Sequence, residues 1–278
     1  MSGYVLPMRK LLIVILFLLL VDAGVYIYAR VEARADPVVR TATLTLPGWP
    51  AGAKPIRAVL ISDVHIGSPA MDAARLDRIV GQIDALKPDI VFIAGDMING
   101  ADADSAAAIG EKMVAPLSHL KAPLGVVAVL GNHDNWTGAA AVEDELRRAG
   151  ITVLDNQAIV RGPLAIGGVG DRFSGHADLA ATIAALRPLA GGRLFVTHSP
   201  DIVPLLPEGS VLLAGHTHCG QVQLFGWYPG HQPYNRRYRC GVIRDGSRTV
   251  VVTAGLGTSG PPVRLGVPPD LWLLTLGP

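Results

Sequence analysis

Five short runs of valine, isoleucine and leucine each break off at residues able to bind a cation. Ile56–Ser62 leads to Asp63 and His65, and Asp89–Ala94 leads to Gly95-Asp96. Gly125–Leu130 leads to Gly131-Asn132-His133-Asp134, Arg193–Thr197 to His198, and Val211–Ala214 to Gly215-His216-Thr217-His218. Near-continuous apolar runs of this length suit strands covered on both faces. Between the first two, Leu76, Ile79, Val80, Ile83 and Leu86 recur at helical spacing, and Pro88 ends the pattern. Asp104–Leu120, Thr137–Ala149 and Ala177–Leu186 read as further helices, and Thr41–Leu46 alternates like an edge strand. Strand–helix alternation predicts an α/β domain. After Gly220 the pattern turns to strands joined by turns (VQLF, RCGVIRD, TVVVTA, LWLLTL), which predicts a second sheet packed on the first.

Open α/β sheets bind ligands beyond the carboxyl ends of their strands, so these endings are expected on one rim. Each alone is weak: D-x-H arises by chance, and a lone histidine at a strand end is usually a hydrogen-bonded structural residue. Together they carry five of the eight histidines and two carboxylates to one edge. The glycines before them suit sharp turns or close backbone approach. Imidazole, carboxylate and amide without thiolate suit Mn, Fe or Zn. Seven candidates (Asp63, His65, Asp96, Asn132, His198, His216 and His218) exceed one tetrahedral site and fit two metals sharing a carboxylate. Two such metals, about 3.5–4 Å apart, form the clamp used for in-line displacement at phosphorus, and lower the pKa of a bridging water so that hydroxide is available near neutral pH.

In order, these five blocks resemble those of the calcineurin-like metallophosphoesterases, and the resemblance runs from Ile56 to Leu276. Gly220-Gln221 and the Gly255–Gly260 segment resemble the bacterial, membrane-associated YkuE-like branch. The resemblance implies an αββα sandwich of two packed mixed sheets flanked by helices. It implies one metal on Asp63, His65, Asp96 and His218, and a second on Asp96, Asn132, His198 and His216. His133 would be catalytic, stabilising the transition state or protonating the leaving oxygen. One departure stands out: some members place an aspartate three residues after the bridging one, where this chain has Asn99. An amide can orient His133 but supplies no charge to raise its pKa. The lipid A pathway pyrophosphatase of the superfamily has arginine in place of His133, yet a UDP-2,3-diacylglucosamine-type pyrophosphatase stays open as an alternative substrate reading. The alternative of another class is a non-catalytic metal-binding scaffold, which could afford to lose ligands; none is missing here.

Residues 11–29 hold one charge, Asp22, and as a helix span roughly 28 Å, about one bilayer core. A signal peptide is the rival, but its Ala33-Arg34-Ala35 cleavage pattern lies far from Val21. A buried core helix would need an all-round apolar helix outside a domain that already looks complete. The expected organisation is an anchor or uncleaved signal sequence over 1–30, a linker and edge strand over 31–55, and the phosphoesterase domain over 56–278. With the branch resemblance this implies the bacterial inner membrane and favours the exported side, although arginines on both flanks blunt the positive-inside rule. A net charge of +1 argues against nucleic acid as partner; the expected partner is a phosphoester, lipid-linked in the alternative reading. Arg172, Arg236 and Arg237 are candidate substrate contacts, the last two interleaved with Tyr234 and Tyr238. For Cys219, beside His218, a packing role is expected, with a Cys219–Cys240 disulfide as the alternative in an exported domain.

Overall fold

The computed structural model describes residues 7–100, 106–229 and 234–278. The apolar strand runs alternate in destination, which explains why they read as continuous. In β2 (Ile56–Ile61), Ala58 and Leu60 face the second sheet while Val59 and Ile61 face helices. The first sheet has the order β1 (Val38–Thr45), β12 (Asp270–Gly277), β2, β3 (Ile90–Ala94), β4 (Val126–Val129) and β5 (Thr152–Val153). The second runs β10 (Gly241–Asp245), β11 (Arg248–Val252), β9 (Val211–Ala214), β8 (Gly192–Val196), β7 (Leu164–Gly168) and β6 (Gln157–Arg161). Both are mixed, with a parallel centre over β2–β5 in one and β7–β8–β9–β11 in the other. Helices α2 (Ala73–Ala85), α3 (Ala106–Ser118) and α4 (Asn132–Arg148) cover the outer face of the first sheet. Helix α5 (Leu179–Leu186) and the 3-10 turn Pro200–Leu205 cover the second. Phe92, Leu60, Leu194, Leu213 and Trp272 lie in the layer between the sheets. This is the αββα sandwich.

Four details differ from the sequence expectation. The five ligand-bearing strands do not share one sheet: β2, β3 and β4 lie in the first, β8 and β9 in the second. The site therefore occupies a seam between two sheet edges, because the chain crosses to the second sheet at β6, before Gly220. The final strand goes the other way and inserts between β1 and β2, leaving β1 on the edge as expected. Residues 222–225 form only isolated bridges, Val222 with Leu265 and Leu224 with Trp227. Helix α4 begins at Asn132 rather than Thr137 and breaks at Gly138, where φ is 126°. The expected start of α3 at Asp104 falls outside the described residues.

Helix α1 (Met8–Ala33) is one continuous apolar rod of about 39 Å, exposed along its length except at Ala29 and Ala33. Its last turn is built into the domain. The Ala29 carbonyl accepts from Arg264 N–H at 2.9 Å, and Arg75 donates to the carbonyls of Arg34 and Ala35 at 3.2 and 2.8 Å. The first residues of the expected linker thus continue the helix.

Candidate metal centre

Asp63 and His65 follow β2, Asp96 follows β3, Asn132 and His133 open α4 after β4, His198 follows β8, and His216 and His218 follow β9. Five of these residues turn into the left-handed region: Asp63 (φ 50°), His65 (48°), Asp96 (55°), His216 (70°) and His218 (48°). Side chains with a Cβ rarely adopt it, and it clusters where function over-determines the backbone. The ladder continues past the strands to hold these turns. Asp63 N–H donates to the Gly95 carbonyl at 2.9 Å, His65 N–H to Asp96 at 3.1 Å, and Gly215 N–H to His198 at 3.0 Å.

Two groups of donor atoms meet around one carboxylate. In the first, His65 Nε2 and His218 Nε2 lie 3.2 Å apart, with Asp63 Oδ1 3.2 Å from His218 Nε2 and Asp96 Oδ2 3.6 Å from His65 Nε2. In the second, His198 Nε2 lies 3.1 Å from the same Asp96 Oδ2. His216 Nδ1 lies 3.2 Å from His198 Nε2 and 3.0 Å from Asn132 Oδ1. Donors held about 2.1 Å from one cation at tetrahedral to right angles are separated by about 3.0–3.4 Å, so most of these spacings fit a cation at each centre. Asp63 Oδ1, His216 Nε2 and His65 Nδ1 are buried without a hydrogen bond. Asp63 Oδ1, facing His218 within the first group, is placed where a cation would satisfy it. These buried His/Asp clusters are consistent with a binuclear metal site.

Outer contacts aim the donors. His198 Nδ1–H donates to the Ala94 carbonyl at 2.7 Å, which leaves Nε2 free to face Asp96. Asp63 Oδ2 accepts from the Ser62 hydroxyl and from His216 N–H at 3.1 Å, and Asp96 Oδ1 accepts from His133 N–H at 2.9 Å. Burial sets the charge states. It pushes the Asp63 carboxyl up to about 7 and His65 down to about 3. Burial, reinforced by the His198 charge, takes His216 down to about 4. At Asp96 burial opposes ionisation, but the charge and hydrogen bond of His198 outweigh it and hold the carboxyl well below the usual range. Burial likewise opposes a charged His198, and Asp96 overcomes it, raising this imidazole well above its ordinary value. His65, His216 and His218 are thus held neutral and Asp96 ionised, while His198 keeps a proton that a cation would have to displace.

His133 stands at the rim, its Nδ1 facing the Gly100 carbonyl at 3.2 Å and its Nε2 the Ser259 hydroxyl at 3.5 Å. The orienting acceptor is thus the carbonyl next to Asn99. Asn99 itself donates its backbone N–H to Ile66, and among the described residues its side chain has no bond to His133. Arg172 and Arg236 are exposed and do not line the cleft, and Arg237 is tied to Asp245. Cys219 and Cys240 form a disulfide behind His218, so the packing expectation for Cys219 gives way to a cross-link. The turn at Thr217, whose hydroxyl donates to the Arg239 carbonyl at 2.6 Å, brings the two segments together.

Sequence reasoning assigned no role to three buried or cleft-lining features. Asp134 ties two motif blocks: Oδ1 accepts from Met97 and Ile98 N–H at 2.8 and 3.1 Å, and Oδ2 from Gly131 N–H at 2.9 Å. Arg264 is fully buried and donates to the carbonyls of Ala254, Gly255, Gly257 and Val267. Trp136 (48% exposed) and Phe173 (39%) stand over the donors, the Phe173 ring 4.6 Å from that of His216. The Gly255–Gly260 segment signalled the region of Arg264, but nothing in a lone arginine signals burial. Three of the five donor-bearing loops, those after β3, β4 and β9, and these aromatics surround a cleft of about 560 Å³, also lined by Val222, Tyr234, Pro261 and Val263.

Buried His/Asp clusters consistent with a binuclear metal site, at the seam of an αββα sandwich, are the architecture of a metal-dependent phosphoesterase. Residues 56–220 match the calcineurin-like phosphoesterases, and the chain belongs to this family. It is 30% identical over 274 residues to a transmembrane protein with metallophosphoesterase domain from Danio rerio, covering 89% of this chain and 59% of that one. It is 30% identical over 239 residues to the uncharacterised metallophosphoesterase YkuE of Bacillus subtilis (strain 168), covering 82% and 81%. A metallophosphoesterase of Aquifex aeolicus (strain VF5) is 29% identical over 228 residues, covering 80% and 85%. The chain spans little more than half the length of the animal relatives it matches, 54% for a Caenorhabditis elegans protein and 59% for the Danio rerio one.

Proposed function

We propose that this chain is a membrane-anchored dimetal phosphohydrolase of the YkuE-like branch, acting on phosphodiester or pyrophosphate bonds. The observation that carries it is Asp96 Oδ2, which faces His65 of one donor group and His198 of the other. Asp63, His65, Asp96 and His218 would hold one ion, and Asp96, Asn132, His198 and His216 the other. Two divalent cations there supply neutralisation of phosphoryl charge and acidification of water. Around them the chain's residues position and exclude. His133, with Nδ1–H directed to Gly100, keeps Nε2 toward the cleft, where it can hold a proton for the departing oxygen. Trp136 and Phe173 wall that cleft against water and supply flat apolar surface for the substrate's organic part.

Anchoring is supported by the exposed apolar length of α1, by its last turn being part of the domain fabric rather than a severable tail, and by the printed name of the Danio rerio relative. The Cys219–Cys240 disulfide favours an oxidising compartment, hence the exported face of a bacterial inner membrane. The UDP-2,3-diacylglucosamine reading is favoured by the apolar cleft wall of Val222, Pro261 and Val263; release of UMP from that lipid in detergent micelles is its test.

The dimetal reading is tested by metal analysis and a chromogenic phosphodiester. Chelation should remove the metals and the rate together. Asp96→Asn should lose both metals, whereas His133→Ala should keep them and lose rate. Equal metal loss in the two variants, or full rate after chelation, overturns this division of roles.

A further inference from the structure

We infer that the Leu224–Trp227 hairpin is a bilayer-inserting tip, which holds the mouth of the metal cleft against the membrane so that the substrate is an amphiphile presented from the lipid. This deepens the membrane-anchored reading and rests on it.

The hairpin is short and apolar at its end. Leu224 and Trp227 exchange both backbone hydrogen bonds at 2.8 Å, and Phe225 and Gly226 turn with φ of 49° and 86°. Left-handed backbone at both central residues marks a tight two-residue turn. Its side chains point away from the protein: Phe225 is 105% exposed, Trp227 63% and Leu224 40%. Three large apolar side chains on one exposed tip mark an interaction surface rather than scattered exposure.

Continuity with the anchor identifies what covers the tip. Ala29, the last apolar residue before Arg30, accepts from Arg264 N–H at 2.9 Å, and the Glu32 carboxylate accepts from Gly266 N–H at 3.0 Å. Between them Leu265 bridges Val222, and Gln223 N–H donates to the Leu265 carbonyl at 2.8 Å. The hairpin thus grows from a segment paired directly with the one that holds the membrane end of α1. Phe225 lies two residues beyond Gln223, at most about 7 Å of chain. Tryptophan and tyrosine, here Trp227 and Tyr228, are the residues that settle at a membrane–water boundary, and phenylalanine and leucine supply the apolar face that enters it. Behind the tip, Arg239 stacks 3.8 Å over the Tyr228 ring and adds a positive group on the headgroup side.

The same strip is a wall of the catalytic cleft. Gln221, Val222, Pro261 and Val263 line it, and Val263 directly precedes the anchor-contacting Arg264. A substrate with its apolar part in the bilayer would meet an apolar ramp leading to the metal donors. A substrate arriving from water has no use for either the ramp or the tip.

The test uses the full chain in phospholipid nanodiscs, with a polarity-sensitive nitrobenzoxadiazole label on Phe225→Cys, Leu18→Cys or Val160→Cys. The native thiols are paired, so labelling is selective. Nitroxide lipids should quench the labels at 18 and 225 at least about threefold more than the label at 160, on the exposed edge strand β6. Quenching at 18 alone overturns the hairpin's role and leaves the anchor standing; absence at both overturns both. Quenching at 225 without 18 supports the hairpin and removes the anchor. A shielded but unquenched label at 225 assigns the tip to a protein contact and overturns the proposal. In a second arm, a Phe225→Ser, Trp227→Ser double variant should lose about tenfold or more in kcat/KM on a nanodisc-borne long-chain alkyl phosphodiester, with bis(p-nitrophenyl) phosphate hydrolysed as before. Equal loss, or no loss, on both substrates overturns it.

Discussion

Gly131 is the position where one added carbon should disable the centre without unfolding the chain. Its backbone (φ −104°, ψ −174°) suits any residue, so alanine brings no dihedral penalty. The Cβ, however, would lie 2.1 Å from Asp96 Oδ1 and 2.5 Å from Asp96 N, where ordinary contact begins at 3.4 Å. About 1.3 Å of separation must be found, the difference between 3.4 and 2.1 Å. Asp134 resists it, since its carboxylate bonds Gly131 on one side and Met97 and Ile98 on the other. Asp96 has to yield instead, backbone as well as carboxylate, and its carboxylate is the group both donor sets share. Overpacking of this kind costs about 1–3 kcal/mol of stability, within reach of a folded domain. Misplacement of about 1 Å at a reacting centre costs about 100-fold in rate, or about 2.7 kcal/mol of barrier. Gly131→Ala should therefore give a cooperative urea transition, depleted metal after gel filtration, and kcat/KM on a chromogenic phosphodiester down about 100-fold. Gly81→Ala is the control: it lies within α2 with no atom near its Cβ. It should be about 1 kcal/mol more stable and fully active. Gly131→Ala with parental metal content and a rate within about twofold would refute the shared-carboxylate geometry.

Other outcomes follow from the same contacts. Arg264→Met should lower stability by about 3 kcal/mol or more in urea unfolding, because four buried carbonyls lose their donor; parental stability would show that water replaces it. Cys240→Ser should cost about 3 kcal/mol, the loop-closure value for a 21-residue separation, read from the same transition. Burial, with the Asp245 hydrogen bond, raises the Tyr238 phenol to about 12. The folded state therefore keeps a proton that the unfolded chain releases near pH 10. That contribution should be complete below pH 10 and vanish as pH rises through 12, and Tyr238→Phe should abolish this slope in alkaline unfolding scans.

The strands were legible because burial on both faces wrote itself as unbroken Val/Ile/Leu runs, and all seven donor candidates were legible because each run ends in one. Sheet membership was not. Nothing in LWLLTL distinguishes a strand of the second sheet from one returning beside β2; the pairing of Trp272 with Leu60 is a long-range choice. Arg264 and Asp134 were silent for a related reason. Their partners are backbone carbonyls and N–H groups, which every residue carries, so no side-chain pattern advertises them. The hairpin tip reads as a strand in sequence because Val222 and Phe225 are β-formers, while its apolar exposure exists only in three dimensions.

The donors' left-handed turns explain why those silent residues sit where they do. Asp63, His65 and Asp96 in that region each cost of order 1–3 kcal/mol, and in isolated loops they would relax and scatter the site. Asp134 clamps the turn after Asp96 to the start of α4. Gly255 and Gly257 carry no Cβ, which lets the loop between β11 and β12 press against Asp63 and His65, where a Cβ would meet Asp63 Cβ at 2.5 Å and the Val64 carbonyl. Arg264 then binds the carbonyls of both glycines and, through its own N–H, the end of α1. The loop that braces the strained side of the donor set is thus also the one that receives the helix. One residue, Arg264, therefore links the end of α1 to the glycines packed on Asp63 and His65.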